Sequence, residues 1–403
     1  MPRKGKKNAQ GAGTIRKRTD GRWEARFTTG FDPATGKQIQ KSIYGKSQKA
    51  VREKLTELTM EVDTGTYIEP SKMTLEQWMT IWLDEYMFDK KWSTIKHYKA
   101  QANTSIIPAL GRYPLSQLDP HLIQTFYNSL LRGKGRAKPL SPKSIRNIHG
   151  ILSKCLSTAV KLEYMRRNPT ESVTLPRVTK KEIKPLTDEQ VSRMVAQAGT
   201  DGFGTLFKVV VFTGLRLGEA LGLTWDCIDF QKRRLTINKQ LQKRPLADGG
   251  FVFAPLKNDK IRVIAPAPFV LDLLKQWQQK QKEDRLMAGD LWQGWANEKE
   301  RQTSIVFTNE MGGHLHPQTV LVHFKKLAAS VGVPNARVHD LRHTYAVLSL
   351  QNGDDVKTVQ ENLGHATAAF TLDVYGHVSE HMKEASAQRM QQYICLLYTS
   401  RCV

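Results

Sequence analysis

Hydrophobic positions change their period several times along the chain. Between residues 13 and 44 three short runs, GTIRK, WEARFTT and QIQKSIY, have strand character. Trp23, Ala25 and Phe27 alternate with Glu24 and Arg26, and Ile39, Lys41 and Ile43 continue the alternation in part. A two-residue period marks a strand with one covered face. Asp20-Gly21 is a hairpin signal between the first two runs, and the turn-rich FDPATGK separates the second from the third. From Ser47 to Asp63 the spacing widens: Val51, Leu55, Leu58 and Val62 recur every three or four residues behind an N-capping serine. The pattern predicts a three-stranded sheet packed on one helix, with a basic outer face carrying Arg16, Arg18, Arg26 and Lys41. Strands can enter the major groove of DNA, so this face is a candidate duplex-reading surface.

A linker, TYIEPSK, leads into a helical segment over residues 73–175. Thr74 and Gln77 form a capping-box signature ahead of Leu75, Trp78, Ile81, Trp82 and Tyr86. Further helices are expected over Ser93–Ser105, Asp119–Leu131 and Ser141–Leu162, broken by Pro108, Pro114 and GKGRAKP. Lys90, Lys91, Lys96, Lys99, Lys143, Arg146 and Lys154 give this bundle basic faces, and Lys96, Lys143 and Arg146 are taken as candidate phosphate contacts. A second linker, PRVTKKEIKPLT, precedes a helix starting at Thr187. Beyond it helices surround a β-rich region near Arg234–Ile264. The expected fold is multidomain: an α+β module of sheet plus helix within residues 1–65, a helical bundle over 73–175, and a mixed, mainly α domain with a small sheet over 186–394.

Charge points to a polyanionic partner. The 403 residues carry 61 Lys and Arg against 38 Asp and Glu, a net charge of +23, and residues 1–55 alone hold 15 against 4. Each phosphate contact releases counterions whatever the base sequence, so such an excess favours nucleic acid. A hydrophobic fraction of 40% supports real cores and excludes global disorder. No apolar run approaches the roughly 18 residues of a membrane helix, and MPRKGKKNAQ lacks the apolar stretch of a secretory signal. Cys155, Cys227, Cys395 and Cys402 form no C-x-x-C pair, which argues against a zinc module or a disulfide framework. No phosphate-binding glycine loop of the G-x-x-x-x-G-K-[ST] type is present, so use of ATP is not indicated.

Four stretches of the last segment carry candidate chemistry. TGLRLGEALGLTW places Arg216 three residues before Glu219, within reach of an ion pair. LKNDKIRVI places Lys257 at the turn of an expected hairpin, with Lys260 three residues on. VHDLRHTYA sets His339 and Arg342 on one helical face, and NLGHATAAFTLDVYGH sets His365 ten residues before Tyr375. In this order and spacing the stretches resemble the signature of the tyrosine recombinase (phage integrase) family, Arg, Lys, His-x-x-Arg, His, Tyr. The sheet module at the N-terminus is similar to the arm-site-binding sheet of integrases from conjugative transposons.

That resemblance implies a site-specific DNA recombinase that integrates and excises a mobile element through a 3′-phosphotyrosine. It assigns Tyr375 as nucleophile, Arg216 and Arg342 as the phosphate clamp, Lys257 as general acid, His339 as proton-transfer partner, His365 as a phosphate or ordering contact and Glu219 as support. It also implies a homotetramer on core-type and arm-type DNA sites in the bacterial cytoplasm, joined to the nucleoid when active, with an excisionase and a host DNA-bending protein as further partners. No metal, cofactor or membrane enters this scheme. A type IB topoisomerase and a non-catalytic DNA-binding regulator are the alternatives. The last nine residues, CLLYTSRCV, back-translate to an inverted-repeat linker of the kind used in sequencing libraries. Residues 395–403 are therefore expected to be an assembly artefact and carry no functional weight.

Overall fold

The computed structural model describes residues 14–64, 67, 72–135, 138–179, 185–365, 367 and 379–399. The chain divides into two compact units, residues 1–180 and 181–403.

The first unit opens with strands β1 (Thr14–Lys17), β2 (Trp23–Phe31) and β3 (Gln38–Gly45), an antiparallel sheet in the order β1-β2-β3. Helix α1 (Gln48–Asp63) follows, and its Ser47 cap accepts from the Ala50 amide. Ala25 and Phe27 pack with Val51 and Leu55 in a small core, as the two-residue alternation predicts. Cross-strand partners share a face, and β2 pairs Ala25 with Ile43 and Phe27 with Lys41. Lys41 therefore lies on the helix side of the sheet, not with the arginines. The expected basic face is corrected to Arg16 and Arg26, with Arg18 beside them.

A bundle follows, built from α2 (Leu75–Glu85), α3 (Trp92–Gln101), α4 (Ile107–Leu110), α5 (Pro120–Arg132) and α6 (Pro142–Lys161). Trp78, Trp82, Ile123, Tyr127, Ile148 and Leu152 belong to its core. The indole N–H groups of Trp78 and Trp82 donate to the Cys155 carbonyl and the Thr158 hydroxyl, both at 3.1 Å, so neither is left unpaired inside. Pro108 does not end the third helix as expected. The chain passes through a π-helical turn at Ala102–Ile106 straight into α4, where the proline occupies the first turn and its missing N–H costs nothing.

Among its described residues the second unit contains α7 (Asp188–Gln197), α8 (Gly202–Thr213) and α9 (Leu217–Leu221), then five short strands. Strands β4 (Ile228–Asp229) and β5 (Arg234–Ile237) form one sheet with β8 (Arg262–Ile264), while β6 (Gln240–Lys243) and β7 (Phe251–Ala254) form a separate hairpin. Helices α10 (Pro268–Ala288), α11 (Glu298–Thr303), α12 (Pro317–Ser330), α13 (Val338–Gln351) and α14 (Val356–Leu363) complete the body. Helix α8 is its axis: Leu206, Val209 and Val210 are wholly buried, against a core that includes Leu274, Phe307, Phe324 and Leu341. A last helix spans Ser379–Thr399. Among the described residues no helix is long and apolar enough to cross a membrane.

Candidate functional site

The site is assembled where three chain segments meet: the turn from α8 to α9, the first turns of α13, and the end of α14. Helix α8 ends on Gly214 in the left-handed region (φ 66°), and a Cβ there would lie 2.5 Å from Tyr345 and 2.7 Å from Leu363. Only glycine fits both the torsion and the space. Two residues later Arg216 caps α9, and its backbone N–H donates to Glu219 Oε2 at 3.0 Å while its Nη1 donates to Glu219 Oε1 at 2.7 Å. Helix α13 starts with the same device. Arg337 caps it, with backbone and Nη2 donating to Asp340 at 2.9 and 2.7 Å. Each helix thus begins with an arginine locked to an acidic residue one turn on, which orients the first turn and neutralises its free N–H groups.

Three arginines converge on the end of α14. The last carbonyls of a helix have no partner within it and carry the negative end of its dipole. Here Asn362 O accepts from Arg262 Nε at 2.8 Å, Leu363 O from Arg342 Nη2, and Gly364 O from Arg216 Nη2 at 3.3 Å. Arg342, 2% exposed, also donates through Nη1 to Gly214 O at 2.6 Å. Carbonyls take up part of each guanidinium, which has five N–H donors in all. His365 follows Gly364 directly and is tied back to Gln360, whose side-chain amide donates to the His365 carbonyl at 3.0 Å.

The imidazoles are held neutral. Burial lowers the pKa of His365 to about 3, with the nearby charges of Arg342 and Arg216 adding to it. Burial and then Arg342 also lower His339. His343 was not anticipated, yet it stands edge-on to His339 with ring centroids 4.8 Å apart and is lowered to about 4, by burial and then by His339. Its signal was readable: in HDLRHT it lies one helical turn after His339. Glu219, 2% exposed, is the opposite case. Burial pushes its carboxyl up, but hydrogen bonds and charge from Arg262 and Arg216 outweigh this and hold it at about 2.

Arg216, Glu219, His339, Arg342 and His365 therefore surround one location. Lys257 and Lys260 are exposed in the segment between β7 and β8. Those strands belong to different sheets, so the expected hairpin around Lys257 is replaced by a crossover turn. Tyr375 lies outside the described residues. On the first unit, Glu24 is 1% exposed although it faces away from α1. It accepts from Arg16 Nε at 2.7 Å, Arg26 Nε at 3.0 Å and Ser42 Oγ at 3.1 Å, with Arg18 Nη1 at 3.9 Å. Arg18 also covers the Tyr44 ring at 5.4 Å. In the bundle Lys143 and Arg146 are exposed, Arg146 donating to Pro176 O at 2.9 Å, and Lys96 sits over the Trp92 ring at 4.8 Å.

A helical bundle followed by a mixed body with arginines gathered at one helix end is the arrangement that comparison with known proteins places in a family. Residues 177–382 match the phage integrase family and residues 74–131 match the phage integrase N-terminal SAM-like domain. The chain belongs to the phage integrase family and is a tyrosine-type site-specific recombinase of the mobile-element integrase kind. It is 28% identical to a XerC-like tyrosine recombinase of Caldanaerobacter subterraneus subsp. tengcongensis over 88% of this chain and 92% of that one. It is 25% identical to the ICEBs1 integrase of Bacillus subtilis over 94% of this chain and all (100%) of that one. The fold is similar to that of the Tn1549 transposon integrase solved with transposon right-end DNA, with a TM-score of 0.64, 18% identity and coverage of 79% of this chain and 100% of the other.

Proposed function

We propose that the chain cuts and rejoins duplex DNA through a 3′-phosphotyrosine on Tyr375, integrating and excising a mobile element. The observation that carries this reading is the meeting of Arg216 and Arg342 at one helix end beside His339 and His365. Two planar guanidiniums can hold both non-bridging oxygens of a phosphate and offset the charge that builds at a five-coordinate phosphorus. A phenol is almost wholly protonated near neutral pH and must lose its proton to attack, and neutral His339 is suited to take it. Lys257 donates a proton to the departing 5′-oxygen. The ester on Tyr375 retains the bond energy until a partner strand's 5′-hydroxyl attacks.

In this reading residues 186–394 form the catalytic domain and 73–175 bind core-type sites through Lys96, Lys143 and Arg146. Residues 1–65 bind arm-type sites through Arg16, Arg18 and Arg26, and four copies act on two duplexes in the bacterial cytoplasm. An excisionase and a host bending protein set direction. Residues 395–403 have no role. Full-length relatives among integrases, and the DNA-bound transposon integrase of the same fold, support this reading over DNA relaxation. The test is trapping on a nicked suicide substrate made from the element's ends. Wild type is expected to become DNA-linked through a peptide containing residue 375. Tyr375→Phe is expected to bind equally well and form no adduct; an adduct from that variant would remove the proposed nucleophile.

A further inference from the structure

Arg262 lies outside the family signature quoted above, yet all three nitrogens of its guanidinium are bonded at the site. It starts β8, and its side chain is 9% exposed. Nη2 donates to Glu219 Oε2 at 2.6 Å and Nη1 to Glu219 Oε1 at 3.2 Å, a two-pronged pair on a buried carboxylate. The third nitrogen, Nε, donates to Asn362 O at 2.8 Å, one residue before the carbonyl held by Arg342 and two before that held by Arg216. Gly364 permits this approach: a Cβ there would stand 3.2 Å from Arg262 Nη1 and 3.3 Å from its Cδ.

We infer that Arg262 is a positioning residue for strand cleavage, acting through Glu219 on Arg216 and through the end of α14 on His365. The inference rests on the recombinase reading of the site. Glu219 stands between two guanidiniums, sharing Oε1 with Arg216 and Arg262. Without Arg262 one side of a buried carboxylate loses its partners, and Arg216 is drawn toward it and away from a phosphate. Buried ion pairs contribute little net stability compared with apolar packing, but they fix geometry, and a forked pair fixes both angle and distance. Arg262 also ties the segment bearing Lys257 and Lys260 to that location, because it lies two residues after Lys260 at the start of β8.

The test measures single-turnover adduct formation on the suicide substrate, DNA affinity and thermal midpoint for the full chain carrying Arg262→Met, Arg262→Lys, Glu219→Gln, and Arg262→Met with Glu219→Gln. Arg262→Met is expected to slow adduct formation about 10²-fold, the cost of a small misplacement of reacting groups, with DNA affinity within about threefold of wild type. Arg262→Lys is expected to recover about tenfold of this, since it restores charge but not the fork. The double variant is expected to be no slower than Arg262→Met, and faster if the unpaired carboxylate is what pulls Arg216 aside. A double-variant loss equal to the product of the single losses would overturn the inference, as would an Arg262→Met rate within threefold of wild type. If Arg262→Met does not fold, wild-type speed in Arg262→Lys and Glu219→Gln overturns it equally. A wild-type chain that forms no adduct refutes the recombinase mechanism itself, and this role with it.

Discussion

Arg342 and Gly214 stand 128 positions apart in sequence and are joined by a hydrogen bond of 2.6 Å from a guanidinium to a backbone carbonyl. With its second bond, to Leu363, this fixes the plane of a buried cation before any DNA arrives. Replacing Arg342 by lysine keeps the charge but cannot reach both carbonyls and a phosphate. Arg342→Lys is expected to reduce adduct formation by about 10²–10³-fold, the scale of losing one oriented transition-state donor, with little change in DNA affinity. Single-turnover cleavage beside a binding titration checks both halves.

The segment between β7 and β8 carries two lysines three residues apart, both exposed. If Lys257 is the general acid, Lys257→Ala is expected to cost about 10²–10⁴-fold in cleavage and Lys260→Ala less than tenfold. A substrate whose 5′-oxygen is replaced by sulfur needs no protonated leaving group and is expected to rescue Lys257→Ala. Rescue of Lys260→Ala instead would reassign the acid.

Arg26 donates to Glu24 and keeps nearly half of its side chain in solvent. Arg26→Ala is expected to weaken binding to arm-type DNA across sequences and reduce the salt slope of that binding by about one or less. Affinity measured at several salt concentrations gives the slope. An unchanged slope and affinity would remove this face from the DNA interface.

Stability is expected to fall on mild acidification, and the sign follows from the lowered values. Unfolded imidazoles take up protons below about pH 6.5, whereas folded His343 and His365 resist until about 4 and 3. The unfolded state therefore binds more protons between those limits, and stability declines as pH drops through them. Glu219 adds a further loss as pH falls from its ordinary value of 4.5 toward about 2. Thermal midpoints from pH 7 to 4 are expected to drop, and His365→Gln is expected to flatten that profile.

Much of this molecule was legible from its residues because local rules and spacing agreed. Ser47, Thr74, Asp119, Ser141 and Thr187 cap the helices that they were expected to start. The arginines and histidines expected to meet do meet, since short motifs in fixed order define which chain segments must converge. What escaped depends on pairing at a distance. The side on which Lys41 lies follows from its register with Phe27 across β2 and β3, and β8 chooses β5 over β7 as its partner. Arg262 gives no signal in the sequence, because its partner Glu219 sits 43 positions away. The proline that was expected to stop a helix was absorbed by a wider turn, an outcome that composition does not encode.

The carboxylate under the arginines of the first sheet has a consequence for how that module senses its surroundings. Glu24 is a resident counterion, so part of the cationic charge is already matched within the protein and would displace fewer of the cations condensed on a DNA duplex. Fewer liberated ions mean a smaller entropic reward on contact and a gentler response to ionic strength than the number of guanidiniums suggests. In the proposed arm-site role, such a module would release its duplex less steeply as salt rises.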